Sequence, residues 1–348
     1  MAIFIDITEW NEIRYFNTKG TRNKCVVRNP LNDELYFFKT SIQKDQKDYK
    51  TEFWSEIIAS EIGNALGFNV LKYDIALHGN EIGCISKSMI GNEETLVEGI
   101  SLLTGYDNTY TPESKDSYSE YTFQFIKKAL NNFDLDSFVD DVIKVIIFDS
   151  IIGNSDRHQE NWAFIAKHME LKDEEVDNII TKLKEKFQSI KDFLKQNNIE
   201  TKDASSKIKI EVKYIGRDSV FAPIYDSGCC LAREKTEEAI KQMLNDSVMF
   251  NSFINRGKAE IRWEGIKGKI NHFDLIKNIR NEFPKIVDET IKNVVSLYDK
   301  KMIEDIVFNI DNALPSDLKQ IHGISESRKK LICNLIYERV KRLNNIIL

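Results

Sequence analysis

Residues Gly153 to Asn161 read GNSDRHQEN and lie between two apolar runs. Upstream, Phe138, Val142, Ile146 and Ile147 recur at three- and four-residue intervals, the period of a buried helix face. Downstream, WAFI is short and strand-like. The chain therefore has to pass from a buried helix through a dense polar loop into a buried strand. Only a fold that keeps such a loop at the edge of its core can accommodate it.

The pattern on either side of this loop differs. The first ninety residues read as strands with one helix. Segments around Cys25 to Val27 and Leu35 to Phe38 flank the turn NPLND, a hairpin signal. Phe53, Ile57, Ile58, Ile62 and Leu66 mark a helix over Glu52 to Leu66, which Gly67 suits as a C-terminal cap. NVLKYDIAL and EIGCISKSMI then predict two more strands joined at His78, Gly79 and Asn80.

From about residue 118 the periodicity turns helical. A charged amphipathic helix is expected over 172–200, with strand character in SSKIKIEVKYI and VFAPIYD. Further helices are expected over Phe273 to Asn281, Asp288 to Leu297, Met302 to Ile310 and Ser325 to Leu343. The expected fold class is α+β, with a small mixed-sheet part over 1–90 and a mostly helical part over 91–348.

Charge and cysteine usage narrow the function classes. A net charge of −6 lacks the basic surplus of a phosphate-backbone binder, so no direct nucleic-acid partner is expected. The five cysteines are scattered, odd in number and without C-x-x-C spacing, which argues against a disulfide framework and a structural zinc. No signal peptide is evident, and no apolar run approaches the ~18 residues of a membrane span. A cytoplasmic chain with no membrane partner is expected; an effector exported by a non-classical route would look the same.

Four elements carry chemistry. Asp156 and Asn161 lie five apart in one loop. Phosphoryl transfer to a hydroxyl needs a carboxylate beside the attacking group and an oxygen ligand for magnesium nearby. Asp226 ends a strand in APIYDSG, like the magnesium-binding Asp of the D-F-G position. Lys39 closes the apolar run of ELYFFKT, and a lysine there can project toward phosphates; Glu56 and Glu52 on the following helix are rival partners for it. NTKGTRNK, Asn17 to Lys24, precedes the first hairpin strand and has a single Gly. Asp149 reads as an anchor for the loop backbone. Trp162 and Phe164 read as core, and Cys229 and Cys230 as small packing residues. His78, His168, His272 and His322 are isolated and are given no chemistry.

This ordered set, Gly20 with Lys24, Lys39, Glu56, GNSDRHQEN and IYDSG, resembles the HipA-like bacterial serine/threonine kinases. Their fold is two-lobed, protein-kinase-like and related to phosphoinositide kinases. The resemblance implies ATP and Mg2+ as cofactors and a protein Ser or Thr hydroxyl as acceptor. It implies Asp156 as catalytic base, with His158 in the same loop holding Asp156 or a phosphate. Asn161 and Asp226 would hold the metal, and Lys39 the phosphates. It favours Glu56, eleven residues before Gly67, as the partner of Lys39. Gly20, Thr21 and Lys24 would cover the phosphates, and Ser86, Lys87, Ser88 and Met89 would lie at the adenine hinge. Thr18 and Thr21 would be autophosphorylation candidates. A small helix-turn-helix antitoxin is the implied protein partner.

Full-length HipA carries an extra subdomain before its phosphate loop, where roughly fifteen residues stand here. The chain is thus more similar to short HipA-type toxins or compact secreted kinases, and 172–200 looks like an insertion. The same loop would serve a phosphoinositide or small-molecule kinase, and the fold alone would serve a pseudokinase-like binding module.

Overall fold

The structure, a computed structural model, describes residues 1–13, 24–41, 43–44, 47–112, 114, 117–167 and 219–348. The expected helix over 172–200, the strand SSKIKIEVKYI, His168 and most of NTKGTRNK, with Thr18, Gly20 and Thr21, lie outside the described residues.

Short strands with consecutive buried residues at their centres build one mixed sheet in the first part. Its strands are β1 (Phe4–Asp6), β2 (Asn11–Glu12), β3 (Lys24–Arg28) and β4 (Leu35–Thr40), followed after a small ribbon by β7 and β8. The ribbon pairs β5 (Gln43–Lys44) with β6 (Lys47–Asp48); β7 is Asp74–His78 and β8 is Glu81–Lys87. The spatial order is β1-β7-β8-β4-β3-β2, with β1 parallel to β7 and the remaining pairs antiparallel. The expected hairpin is β3–β4, turning through Asn29 to Asp33. The segment NVLKYDIAL becomes strand only from Asp74 onward.

Helix α1 (Glu52–Ala65) buries Phe53, Trp54, Ile57, Ile58 and Ile62 and packs on β4 and β8. It closes at Leu66, and Gly67 follows at φ +80°, a conformation that costs glycine little. The Trp54 indole donates to the His322 carbonyl at 2.7 Å, so α1 also touches the helical part.

That part is held around α4 (Val139–Ile152), after α2 (Gly99–Tyr106) and α3 (Phe123–Asn132). Helices α5 (Glu237–Asn245), α6 (Ser247–Arg256), α7 (His272–Glu282), α8 (Pro284–Leu297), α9 (Lys300–Asn309), α10 (Ser316–His322) and α11 (Glu326–Ile347) follow. α11 packs on α4, α5, α7, α8 and α9 through Leu331, Ile332, Leu335, Ile336 and Leu343. The four helices expected beyond residue 270 are all present, each displaced by a few residues at its ends. The chain is a mixed α+β fold, with a six-stranded N-terminal sheet and a helical C-terminal part.

A second small sheet joins two segments expected to be strands to a third that was not expected. In it β10 (Ala163–Lys167), which takes up the last three residues of the expected WAFI strand, pairs with β9 (Glu94–Glu98) and with the two-residue β11 (Val220–Phe221). VFAPIYD is strand only at its start because Pro223 has no amide to continue the ladder. Ile224 makes instead an isolated parallel bridge to Val70, which ties this segment to the chain leaving α1.

Gly83 on β8 is set by close packing: a β carbon there would lie 2.2 Å from the Lys39 carbonyl oxygen. Since Lys39 and Gly83 occupy adjoining positions of the β4–β8 pair, Gly83→Ala should cost about 1–3 kcal/mol. Urea unfolding checks this; a midpoint equal to that of the parent chain would show that the two strands separate freely.

Candidate active site

The polar loop begins where α4 ends. Gly153 caps the helix at φ +69°, in the left-handed region, and its amide donates to the Asp149 carbonyl. Asn154 then turns back: its amide nitrogen donates to Asp149 Oδ1 at 3.0 Å, and its Oδ1 accepts from the Asp156 backbone at 3.2 Å. Asn161 Nδ2 donates to the Asp156 carbonyl at 2.8 Å. The five-residue interval between Asp156 and Asn161 is thus closed by a bond across the loop, and the Asn161 side chain keeps its Oδ1 as an acceptor.

Arg157 is the charged group buried deepest in the loop, at 1% exposure, level with Asn154. Its guanidinium donates to both oxygens of Asp149, at 2.9 and 2.8 Å. It also donates to the Asn161 carbonyl at 2.8 Å, the Tyr225 carbonyl at 2.5 Å and Ser227 Oγ at 3.1 Å. Burial works against its charge, but Asp149 outweighs that and holds the guanidinium firmly protonated. Asp149 is therefore the anchor the sequence suggested, acting through Arg157 and Asn154. The Arg157 network itself was missed; its only local signal was an arginine in a short polar loop between two apolar runs.

Asp226 lies between two residues that Arg157 grips, Tyr225 and Ser227. Its backbone adopts φ +52°, a strained region that tends to mark functional sites and that Asp tolerates better than most residues. Its amide donates to the Tyr73 hydroxyl at 3.3 Å. Burial, and after it the nearby Glu56 carboxylate, push the Tyr73 hydroxyl well above its ordinary pKa, so it stays neutral.

Lys39 completes the cluster. Its ammonium meets Glu56 Oε1 at 2.5 Å and Asp226 Oδ1 at 2.7 Å. The other Glu56 oxygen accepts from the Ser227 amide at 2.8 Å, and a β carbon on Gly228 would approach Glu56 Oε1 to 3.0 Å. Glu56, not Glu52, is the partner of Lys39; Glu52 pairs with Arg233. Lys24 lies directly opposite Lys39 on the β3–β4 pair, so both lysines rise from one face of the sheet.

The remaining expected residues are more dispersed. His158 accepts from the Glu160 amide at 3.3 Å and, among the described residues, makes no bond to Asp156. Ser86 is buried on β8, while the exposed Lys87 pairs with Glu34. Ser88 donates to the Leu35 carbonyl at 2.8 Å and turns through the Ile90 carbonyl. Met89 packs with Ile90, Leu96 and Tyr225 around Ala163, Ile165 and Ala222. That small apolar cluster joins the end of β8 to the sheet that follows the polar loop.

Cys229 is not simple packing: its thiol donates to Asp156 Oδ2 at 3.0 Å. Cys230 is buried, as expected of a packing residue, and burial pushes its thiol pKa well up. Trp162 and Phe164 are core, at 3% and 0% exposure.

Removing one partner of the Asp149–Arg157 pair leaves a buried charge alone. Arg157→Met should therefore cost about 3–5 kcal/mol, measured by urea unfolding, and Arg157→Lys should recover only part of it for want of the planar fork. A loss below 1 kcal/mol for Arg157→Met would show the pair to be dispensable.

Comparison with known proteins bears on this geometry. No family model matches the chain. Serine/threonine-protein kinase CtkA of Helicobacter pylori is 21% identical over 323 residues, covering 90% of this chain and 82% of that protein. The crystal structure of the H. pylori proinflammatory kinase CtkA superposes with a TM-score of 0.70 at 20% identity, over 99% of this chain and 96% of that one. HipA of Shewanella oneidensis MR-1, solved with HipB and operator DNA, reaches a TM-score of 0.49 at 9% identity, over 95% of this chain and 65% of that one. The chain is a homologue of the serine/threonine kinase CtkA and has the kinase-like fold of that protein.

Proposed function

We propose that the chain is an ATP-dependent serine/threonine protein kinase of HipA-like type. The observation that carries this is the convergence of Lys39, Glu56 and Asp226 through two short bonds, on the same segment that Arg157 ties to the Asp156–Asn161 loop. Homology to CtkA supports the same reading. ATP would bind between a lobe over 1–90 and a lobe over 91–348. Lys39 and Lys24 would face its phosphates, and the Ser86 to Met89 segment would meet adenine near the Ile165 cluster; Gly20 and Thr21 are phosphate-contact candidates from the resemblance alone.

The donor set suits magnesium: Asn161 offers its side-chain Oδ1 and Asp226 a carboxylate, both hard ligands. Mg2+ bound with nucleotide phosphates needs only one or two protein carboxylates. When bound, the ion neutralises charge on the transferring phosphoryl group. Asp156 is held by the bond from Asn161 to its carbonyl and by Cys229 at its carboxylate. It orients the acceptor hydroxyl and takes its proton as the oxygen bonds to phosphorus and the bond to the nucleotide diphosphate breaks. Most of the acceleration comes from positioning and electrostatics.

Autophosphorylation between Asn17 and Asn23, and association with a small helix-turn-helix protein as in a toxin–antitoxin pair, are finer parts of this proposal. Peptide mass spectrometry and co-purification test them.

Labelled-ATP transfer in a cell lysate should show phosphoprotein with the parent chain. Asp156→Asn should lower transfer by about a hundredfold to ten-thousandfold, the usual contribution of a general base, with an unchanged melting curve. Asp226→Asn and Lys39→Met should also silence it. Parent-level transfer by Asp156→Asn would end this assignment, and label found in lipid rather than protein would move it to the phosphoinositide class.

A further inference from the structure

The turn after Asp226 brings a thiol to the polar loop. Leu231 and Ala232 adopt φ +53° and +58°, and the Leu231 amide donates to the Ile152 carbonyl at 3.0 Å, at the end of α4. These two left-handed residues fold the chain back so that Cys229 faces Asp156 and Arg233 faces Cys229. The Cys229 thiol lies 3.0 Å from Asp156 Oδ2, and Arg233 Nη2 lies 3.0 Å from the Cys229 sulfur. The other end of the guanidinium pairs with Glu52, which is 1% exposed on α1, and its plane lies 4.7 Å over the Tyr49 ring.

We propose that Cys229 is a positioning residue for phosphoryl transfer, holding the Asp156 carboxylate in place while Arg233, fixed by Glu52, holds the thiol. This rests on the kinase reading above. The polarity of the chain is consistent throughout: the guanidinium donates to sulfur, and the S–H donates to the carboxylate. Hydrogen bonds aligned in one sense reinforce one another. Among the described residues, the thiol is the donor that meets this carboxylate. The backbone bonds of Asp156 fix where the residue sits, and Cys229 fixes where its oxygens point. Through Arg233 and Glu52 the aim of the base depends on the placement of α1, the helix that also carries Glu56 for Lys39.

The test has two arms. In the first, initial rates against ATP concentration are measured for the parent, Cys229→Ser, Cys229→Ala and Arg233→Gln, each with a melting curve. Cys229→Ala should lower kcat on the order of tenfold to a hundredfold, the range for a misplaced catalytic group, with the apparent KM for ATP unchanged. Cys229→Ser, which keeps a donor and an acceptor, should recover most of the rate. In an Asp156→Asn background, Cys229→Ala should cost nothing further, because the two act as one unit. Equal rates for the Ser and Ala variants, or a loss that follows the melting temperature alone, would overturn the proposal.

The second arm needs no turnover. Alkylation of Cys229 by iodoacetamide is followed by peptide mass spectrometry. Asp156→Ala should speed it, because a carboxylate neighbour opposes the thiolate, and Arg233→Gln should slow it, because a guanidinium neighbour favours the thiolate. A mere change of access would speed both. Opposite shifts in a chain that transfers no phosphate would keep the thiol–carboxylate contact and sink the kinase reading. Unchanged alkylation in an active chain would sink the proposal and leave the kinase reading standing.

Discussion

The geometry of the site hangs on one buried guanidinium. Arg157 satisfies its donors on Asp149 from α4, on Asn161 from the polar loop, and on Tyr225 and Ser227 from the segment after β11. A buried arginine is tolerable only when its charge is matched and its donors are used. The three elements therefore cannot shift relative to one another without leaving part of the fork unpaired. Both acids of the proposed chemistry inherit their places from it: Asp156 adjoins Arg157 in sequence, and Asp226 lies between Tyr225 and Ser227. Their backbones are placed by this network, while their carboxylates meet Lys39 and Cys229.

Helix α1 makes the corresponding link to the sheet. Glu52 and Glu56 stand one turn apart on the same face, and each reaches a different part of the segment after Asp226. Glu56 meets Lys39 and the Ser227 amide, and Glu52 meets Arg233. Two carboxylates at 1% exposure are costly unless paired, so the apolar burial of Phe53, Ile57 and Ile58 and the two cationic partners have to form together. The helix belongs to the sheet by its apolar face and to the polar segment by its acidic one.

Local pattern was enough to find the main parts of this arrangement. GNSDRHQEN, the β3–β4 hairpin, α1 and its cap at Gly67 all announce themselves within about fifteen residues. What stayed hidden depends on contacts between distant residues. Glu52 and Glu56 could not be separated on spacing alone, since positions i and i+4 share a face and both turn out to be buried and paired. The reach of Arg157 to Tyr225 and Ser227 spans 68 and 70 residues, beyond any periodicity. Cys229 reads as packing because its contact with Asp156 arises from left-handed backbone at Asp226, Leu231 and Ala232, which are not glycines and so give no turn signal. β9 was missed for a related reason: its residues are only partly buried apart from Val97, so alternation is weak.

The two acids that share Lys39 are not equivalent, and the difference suggests how the ammonium is aimed. The Glu56 side chain is 1% exposed and its second oxygen is fixed by the Ser227 amide, whereas the Asp226 side chain is 20% exposed. Glu56 is thus the more firmly held partner, fixed at both oxygens. The Asp226 bond faces the more open side. An anion arriving there competes with Asp226 for the ammonium, but not with Glu56, because displacing Glu56 would strand a buried carboxylate. In the proposed chemistry Lys39 would exchange Asp226 for phosphate oxygens while Glu56 keeps it in position. The carboxylate it releases remains anchored through its backbone, between the two residues that Arg157 holds.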